Sequence, residues 1–214
     1  MPRASRTQPR RLGRPPDTDS SETRKRILDI ARVAFASGGY DASTNRELAA
    51  RAGITSGALY HYFGSKLDLY LAVHHDVQAR IYARFNEAVE STAGFLGKFD
   101  AVLDVAHELN ADDPTFAAFL GVVRSDMRRH PDIRAALGAQ ARRRQGFFVG
   151  LVDVGVESGE ISPANREVMV EFVAIILVGL TDGVSDDLEL HERAVRSIKM
   201  ALRGQLVNVP ATGV

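Results

Sequence analysis

Between Ser43 and Lys66 the chain reads STNRELAARAGITSGALYHYFGSK, and hydroxyls, phenols, an imidazole and cations crowd into those 24 residues. The chemistry these types offer is hydrogen bonding to a partner. His61 carries two ring nitrogens that can serve the donor and acceptor pattern of a base-pair edge. Ser56, Gly57, Ala58 and Tyr60 surround it with small or hydrogen-bonding residues. A short helix with such a tip suits the DNA major groove, which admits one α-helix.

Elsewhere the reactive residue types are scattered. His74 and His75 are adjacent, so on a helix they point to different sides and cannot share a metal locally. Asp104, His107 and Glu108 fall on one helical face and would offer three ligands, with no fourth in view; a solvated patch is the reading adopted. The sequence has no GxGxxG, Walker, GxSxG or HExxH motif and no cysteine. No catalytic residue, metal site or cofactor is therefore expected, and disulfides are excluded. The rival function class is a helical small-molecule binder or enzyme with no DNA role. Only the DNA reading predicts binding that weakens steeply with salt.

The positioning elements follow from caps and stops. Thr44 with Glu47 forms a capping-box pattern, so a helix can begin there with its free amides satisfied. Leu48, Ala49 and Ala52 lie on one face of it, and the small Ala49 permits a close helix crossing. Gly53 ends the helix and Ile54 plugs the corner. Thr55 is an N-cap for a second helix, Ser56 to Phe63, whose Leu59 and Phe63 face inward at a spacing of four. Gly64 ends that helix, and Ser65 with Asp68 caps another. Upstream, a helix from Ser21 to Ser37 carries Ile27, Ala31, Ala34 and Phe35 as an inward stripe. Arg24, Lys25 and Arg26 in its first turns oppose the helix dipole, which phosphate contact would explain.

Charge is divided along the chain. The 214 residues have a formal net charge of zero, but residues 1–66 hold twelve Lys/Arg against six Asp/Glu and residues 67–214 hold fifteen against twenty-one. A basic front presents itself to a polyanion. Residues 1–20, with five arginines and four prolines, read as a disordered basic arm; Arg10-Arg11-Leu12-Gly13-Arg14 is of the kind that enters a minor groove.

The stretch Thr23 to Leu71 resembles the DNA-binding domain of the tetracycline-repressor (TetR) family of transcriptional regulators. Gly39-Tyr40, the Thr44 cap, Leu48-Ala49, Ala52-Gly53-Ile54, Gly57-Ala58-Leu59-Tyr60, Tyr62-Phe63 and Ser65-Lys66 occur in order at the family's spacing. Thr55 stands where the family often has Ser, and Ser56 where it often has Lys or Arg, which removes one possible basic contact. The resemblance implies that Thr44, Tyr60 and Lys66 hold phosphates, that Arg46, Ser56, Gly57, Ala58, His61 and Tyr62 lie against bases or adjacent backbone, and that Thr55 belongs to the same DNA-binding set. For Tyr60 the alternative is a packed core tyrosine. The resemblance further implies a homodimer on a palindromic double-stranded operator, released by a small-molecule inducer.

Beyond Leu71 the chain reads as helices only, giving an all-α protein of about nine helices. Its divisions are the arm (1–20), the helix-turn-helix domain (21–66) and a ligand-binding and dimerisation domain (67–214). The helix after Pro163 is apolar on nearly all sides, so it must pack on its own subunit and on something else; with the last helix it is the expected dimer surface. An apolar pocket is assigned to Val102, His107, Phe119, Val123, Arg124, Phe147, Leu151, Phe172 and Ile176, with Arg124 a candidate partner for a ligand carboxylate. Arg142-Arg143-Arg144 reads as a solvated face. The longest apolar run, Phe172 to Leu180, is about half a bilayer span, and no signal peptide is apparent, so a cytoplasmic protein with no membrane partner is expected. The sequence leaves open the operator, the inducer, the regulated genes and the choice between repression and activation.

Overall fold

A computed structural model describes residues 16–206, without the side chains of residues 16–19 and 139–144. Residues 1–15 of the expected arm (1–20) and the ending 207–214 lie outside what is described, as do the side chains of the charge run Arg142–Arg144; residues 16–20, expected in the disordered arm, are helical. Among the described residues there are nine α-helices, one 3-10 turn and no strand. The helices are α1 (Pro16–Ala42), α2 (Asn45–Arg51), α3 (Ser56–Tyr62), α4 (Lys66–Glu90), α5 (Gly94–Asp112), α6 (Thr115–Arg129), α7 (Pro131–Glu157), α8 (Arg166–Gly183) and α9 (Leu188–Leu202).

The expected caps form. The Thr44 hydroxyl accepts the Glu47 N–H at 3.2 Å, Thr55 accepts the Ala58 N–H at 3.1 Å, and Ser65 accepts the Asp68 N–H at 3.0 Å. Gly53 takes φ 67° at the turn between α2 and α3, a conformation that L side chains avoid. The first helix differs from the expectation of Ser21 to Ser37. It begins at Pro16, where a missing N–H is harmless, and runs to the two glycines, after which a short helical turn follows to Ala42. Gly39, with φ 76° and ψ −178°, is not helical and ends the first segment, as the glycine pair predicts.

Two hydrophobic cores are strung along α4. The first joins α1, α2, α3 and the start of α4 through Phe35, Leu48, Leu59 and Tyr70, and it also takes in Phe119 and Val123 of α6 and Ile133 and Leu137 of α7. The second joins the far half of α4 to α5, α7, α8 and α9 around Phe99, Val102, Leu103 and Val173. Ile81 packs against both. The N-terminal unit is therefore not sealed off at residue 66: its core is completed by α6. Phe35 of α1, Tyr70 of α4 and Phe119 of α6 meet edge-on or tilted, with centroids 4.9 to 6.4 Å apart.

The α1–α6 contact also has a polar centre. The Asp126 carboxylate is fully buried and accepts the Tyr70 hydroxyl at 2.8 Å and the Tyr40 backbone N–H at 3.0 Å. Arg129, one turn on, supplies the countercharge. Burial, with the bond to Asp126 second, drives the Tyr70 phenol well above its ordinary pKa, so it stays a donor.

On α8, Val168, Ile175 and Val178 stay exposed, at 67%, 68% and 44%, so a helix in the second core keeps an apolar stripe uncovered within one subunit. Leu188 and Leu190 extend exposed apolar surface onto α9. Among the described residues no helix is long and apolar enough to cross a membrane.

Candidate functional site

The outer face of the N-terminal unit is made by α2 and α3, each seven residues long. Leu48 and Ala49 of α2 and Leu59 of α3 are buried, fixing which sides face out. On the outward side Thr44, Arg46, Thr55, Gly57, Tyr60 and His61 are exposed, and Ser56, Ala58 and Tyr62 are half-buried. Tyr60 is 52% exposed, which removes the packed-tyrosine alternative. Tyr62 leans on the core and meets the His61 ring edge-on at 6.0 Å. Thr44 and Thr55 accept cap hydrogen bonds, which leaves each O–H to donate to an anionic oxygen.

Lys66 departs from the expectation of a phosphate contact. Its ammonium turns inward, donates to the Tyr40 carbonyl at 2.8 Å and the Ser43 carbonyl at 3.2 Å, and lies 4.2 Å above the Tyr40 ring. The reason is local. The end of α1 leaves carbonyls without helical partners at its negative pole, and a cation from the next layer satisfies them. Arg24 likewise lies over the Phe63 ring, 5.2 Å from its centroid.

The second feature is a cavity of about 490 Å³ walled by α4 to α9. Its walls are mainly apolar, from Ile81 and Phe85 of α4, Leu109 of α5, Phe116 and Leu120 of α6 and Leu177 of α8. Of the pocket residues read from sequence, Val123 and Arg124 line it. The structure places the others elsewhere. Val102 and Leu151 are buried in the second core and Phe119 in the first. Phe147 stacks with Phe85 in an aromatic cluster, and Phe172 and Ile176 pack against the second core. His107 lies behind the wall, its Nδ1 3.1 Å from Nδ1 of His191, which does line the cavity.

Arg124 is not poised for a carboxylate from outside, because Asp182 of α8 holds it. The Asp104, His107 and Glu108 group is dispersed as well: Asp104 pairs with Lys199 at 2.5 Å, Glu108 with Arg84 at 2.9 Å, and His107 with His191. Sequence reasoning missed the polar inner end, formed by His74, Asn110 and His191. Each stands among other polar residues on an amphipathic helix, so the sequence does not set it apart from the solvated positions around it.

An arrangement of this kind, a short exposed helix-turn-helix ahead of a mainly apolar cavity in an all-helical body, defines a DNA-binding regulator with an effector site. Residues 27–73 match the family described as bacterial regulatory proteins, tetR family. The HTH-type transcriptional repressor AcnR of Corynebacterium efficiens is 31% identical over 184 residues, covering 81% of this chain and 93% of that one. The chain belongs to the tetR family of bacterial regulatory proteins. Among solved structures, Salmonella enterica GusR superposes with TM-score 0.72 at 22% identity, over 86% of this chain and 95% of that one. AibR, in complex with isovaleryl coenzyme A and operator DNA, superposes with TM-score 0.68 at 17% identity, over 84% and 97%.

Proposed function

We propose that this protein is a dimeric, cytoplasmic transcriptional repressor that holds a palindromic operator through α2 and α3 and releases it when an apolar or amphipathic molecule fills the cavity. It performs no catalysis. The observation that carries this reading is the double service of α6. Phe116, Leu120, Val123 and Met127 face the cavity. The same helix gives Phe119 to the N-terminal core and Asp126 to the Tyr40 and Tyr70 bonds. Its Arg124 is tied to Asp182 on α8, the helix with the exposed apolar stripe. A ligand that displaces α6 therefore acts on the reading unit and on the dimer helix together.

Phe116 is the shortest link. One side of it lines the cavity, and the Arg32 guanidinium of α1 lies over its ring at 4.2 Å. Arg32 is itself buried and pairs with Asp113 at 2.9 Å. The Asp113 carboxyl is held below its ordinary pKa: burial raises it, and the bonds from Thr115 and Arg32 outweigh that. In the DNA-bound state His61 reads bases, and Ser56, Gly57, Ala58 and Tyr62 lie against bases or nearby backbone. Thr44, Arg46, Thr55 and Tyr60 meet phosphate or sugar. Two copies joined through α8 and α9 set the half-site spacing. A coupling of about 1–3 kcal/mol between cavity and operator corresponds to a 5- to 150-fold change in DNA affinity.

The test is selection of bound fragments from random duplex DNA by the full chain, followed by footprinting of the selected site over a salt series. A two-fold symmetric site whose affinity falls steeply with salt supports the reading. Retention that ignores both sequence and salt leaves the rival, a helical binder with no DNA role.

A further inference from the structure

The cavity has two chemically different ends. At its mouth stand Gln145, Glu171 and Val178, all exposed. At its inner end stand His74, Asn110 and His191, which are 2%, 4% and 2% exposed. Asn110 fixes the chemistry there. Its Nδ2 donates to the Ser185 carbonyl at 2.7 Å. A carbonyl can only accept, so the amide cannot be turned the other way, and Oδ1 is the free end. That oxygen is buried and has no hydrogen-bond partner. A buried acceptor without a donor is disfavoured, and a ligand that brings the donor removes the penalty.

The one permanent cation of the described lining is already matched. Among the described lining residues Arg124 is the one lysine or arginine, and Asp182 neutralises it. Burial, and then the neighbouring His107, lower the pKa of His191 and keep that ring neutral. Glu171 at the mouth adds negative charge. A carboxylate or phosphate driven to the inner end would lose its hydration with no cation to meet it.

We infer that the part of the ligand reaching the inner end is an uncharged group bearing a hydroxyl or N–H, carried on an apolar frame, and that it donates to Oδ1 of Asn110. This rests on the cavity being the effector site. The neutral dye N-phenyl-1-naphthylamine, bound to the full-length dimer, is displaced by three probes of equal chain length: 1-decanol, decyl methyl ether and decanoate. The alcohol should displace it at about tenfold lower concentration than the ether or the acid. In Asn110→Leu the alcohol should fall back to the ether's value. Should that variant loosen the Ser185 loop, the wild-type ranking of the three probes still decides. Equal potency, or a preference for decanoate, overturns the assignment of the inner end and leaves the cavity standing as the effector site. A dye that does not bind at all overturns both.

Discussion

The outer face of α2 and α3 and the interior of the cavity are both polar regions in an apolar scaffold, and they treat charge in opposite ways. On the outer face Arg46, Tyr60 and His61 reach into solvent, while the hydroxyls of Thr44 and Thr55 cap helices without losing their donors. In the cavity Arg124 is matched by Asp182, His191 shares a hydrogen bond with His107, and Asn110 is turned by Ser185. Exposed donors suit a polyanion, whose condensed counterions leave on binding. An interior with its charge already balanced suits an uncharged molecule. The same rule explains Lys66, which lies in the reading unit but points inward and behaves like a residue of the interior.

The largest expected effect tests whether the two regions are of use singly. Ile175 is exposed on α8 and does not line the cavity. Ile175→Asp should place an unpaired charge in the dimer contact, at a penalty of about 3–5 kcal/mol. Sedimentation should then show monomers at micromolar concentration, with operator affinity down by more than about 100-fold. The cavity should keep its dye. A monomer with wild-type operator affinity would remove the need for pairing.

Next comes the joint between the regions. Asp126→Ala leaves the Tyr70 hydroxyl and the Tyr40 N–H without their buried acceptor. Lost stability of about 2–4 kcal/mol is expected, read as a lower midpoint in urea. Phe116→Ala should cost less in folding, because Phe116 is only partly buried, yet it should separate the regions. The variant should still bind both dye and DNA while ligand no longer changes operator affinity. A Phe116→Ala protein that still responds fully would place the transmission elsewhere.

How far the sequence could anticipate this depends on the range of the interaction. Thr44 with Glu47, Thr55 with Ala58 and Ser65 with Asp68 are contacts within three residues, so their types and spacing alone predicted the helix starts. Gly38-Gly39 marked the stop in the same local way, and Gly39 takes the left-handed φ of 76° there. Cavity membership was mostly hidden. Phe119 and Val123 lie one turn apart on the same side of α6; the first is enclosed by Phe35 and Tyr70, and the second lines the void. Periodicity identifies the inward face of a helix and says nothing about whether the space opposite is filled. The inward Lys66 was equally hidden, because its carbonyl partners are 23 and 26 residues away in sequence.

Lys66 and Arg46 give the sharpest pairing of variants. Lys66→Ala removes the cation at the end of α1 and should lower stability by about 1–2 kcal/mol. It should weaken all DNA sequences alike through a loosened head, leaving the slope of log affinity against log salt unchanged. Arg46→Ala should leave stability alone and reduce that slope by about one. A reduced slope in Lys66→Ala would return its ammonium to the phosphates. His61→Ala should do neither, and should instead relax base choice at one position per half-site by about 1–3 kcal/mol in a selection experiment.

The smallest effect is a matter of protons in the cavity wall. The folded His191 pKa lies below its ordinary value of 6.5, so the unfolded chain takes up a proton that the folded chain resists. Linkage then fixes the sign. The contribution of this group to stability is fully present above pH 6.5 and is lost as pH falls below it towards the folded pKa. In urea titrations from pH 7.5 to 5.5 the wild type should therefore lose stability faster than His191→Gln, with the two curves parallel above pH 7. A steeper loss in the variant would mean that the ring is charged in the folded protein. The cavity would then hold a cation after all, and decanoate, not the alcohol, would be its better probe.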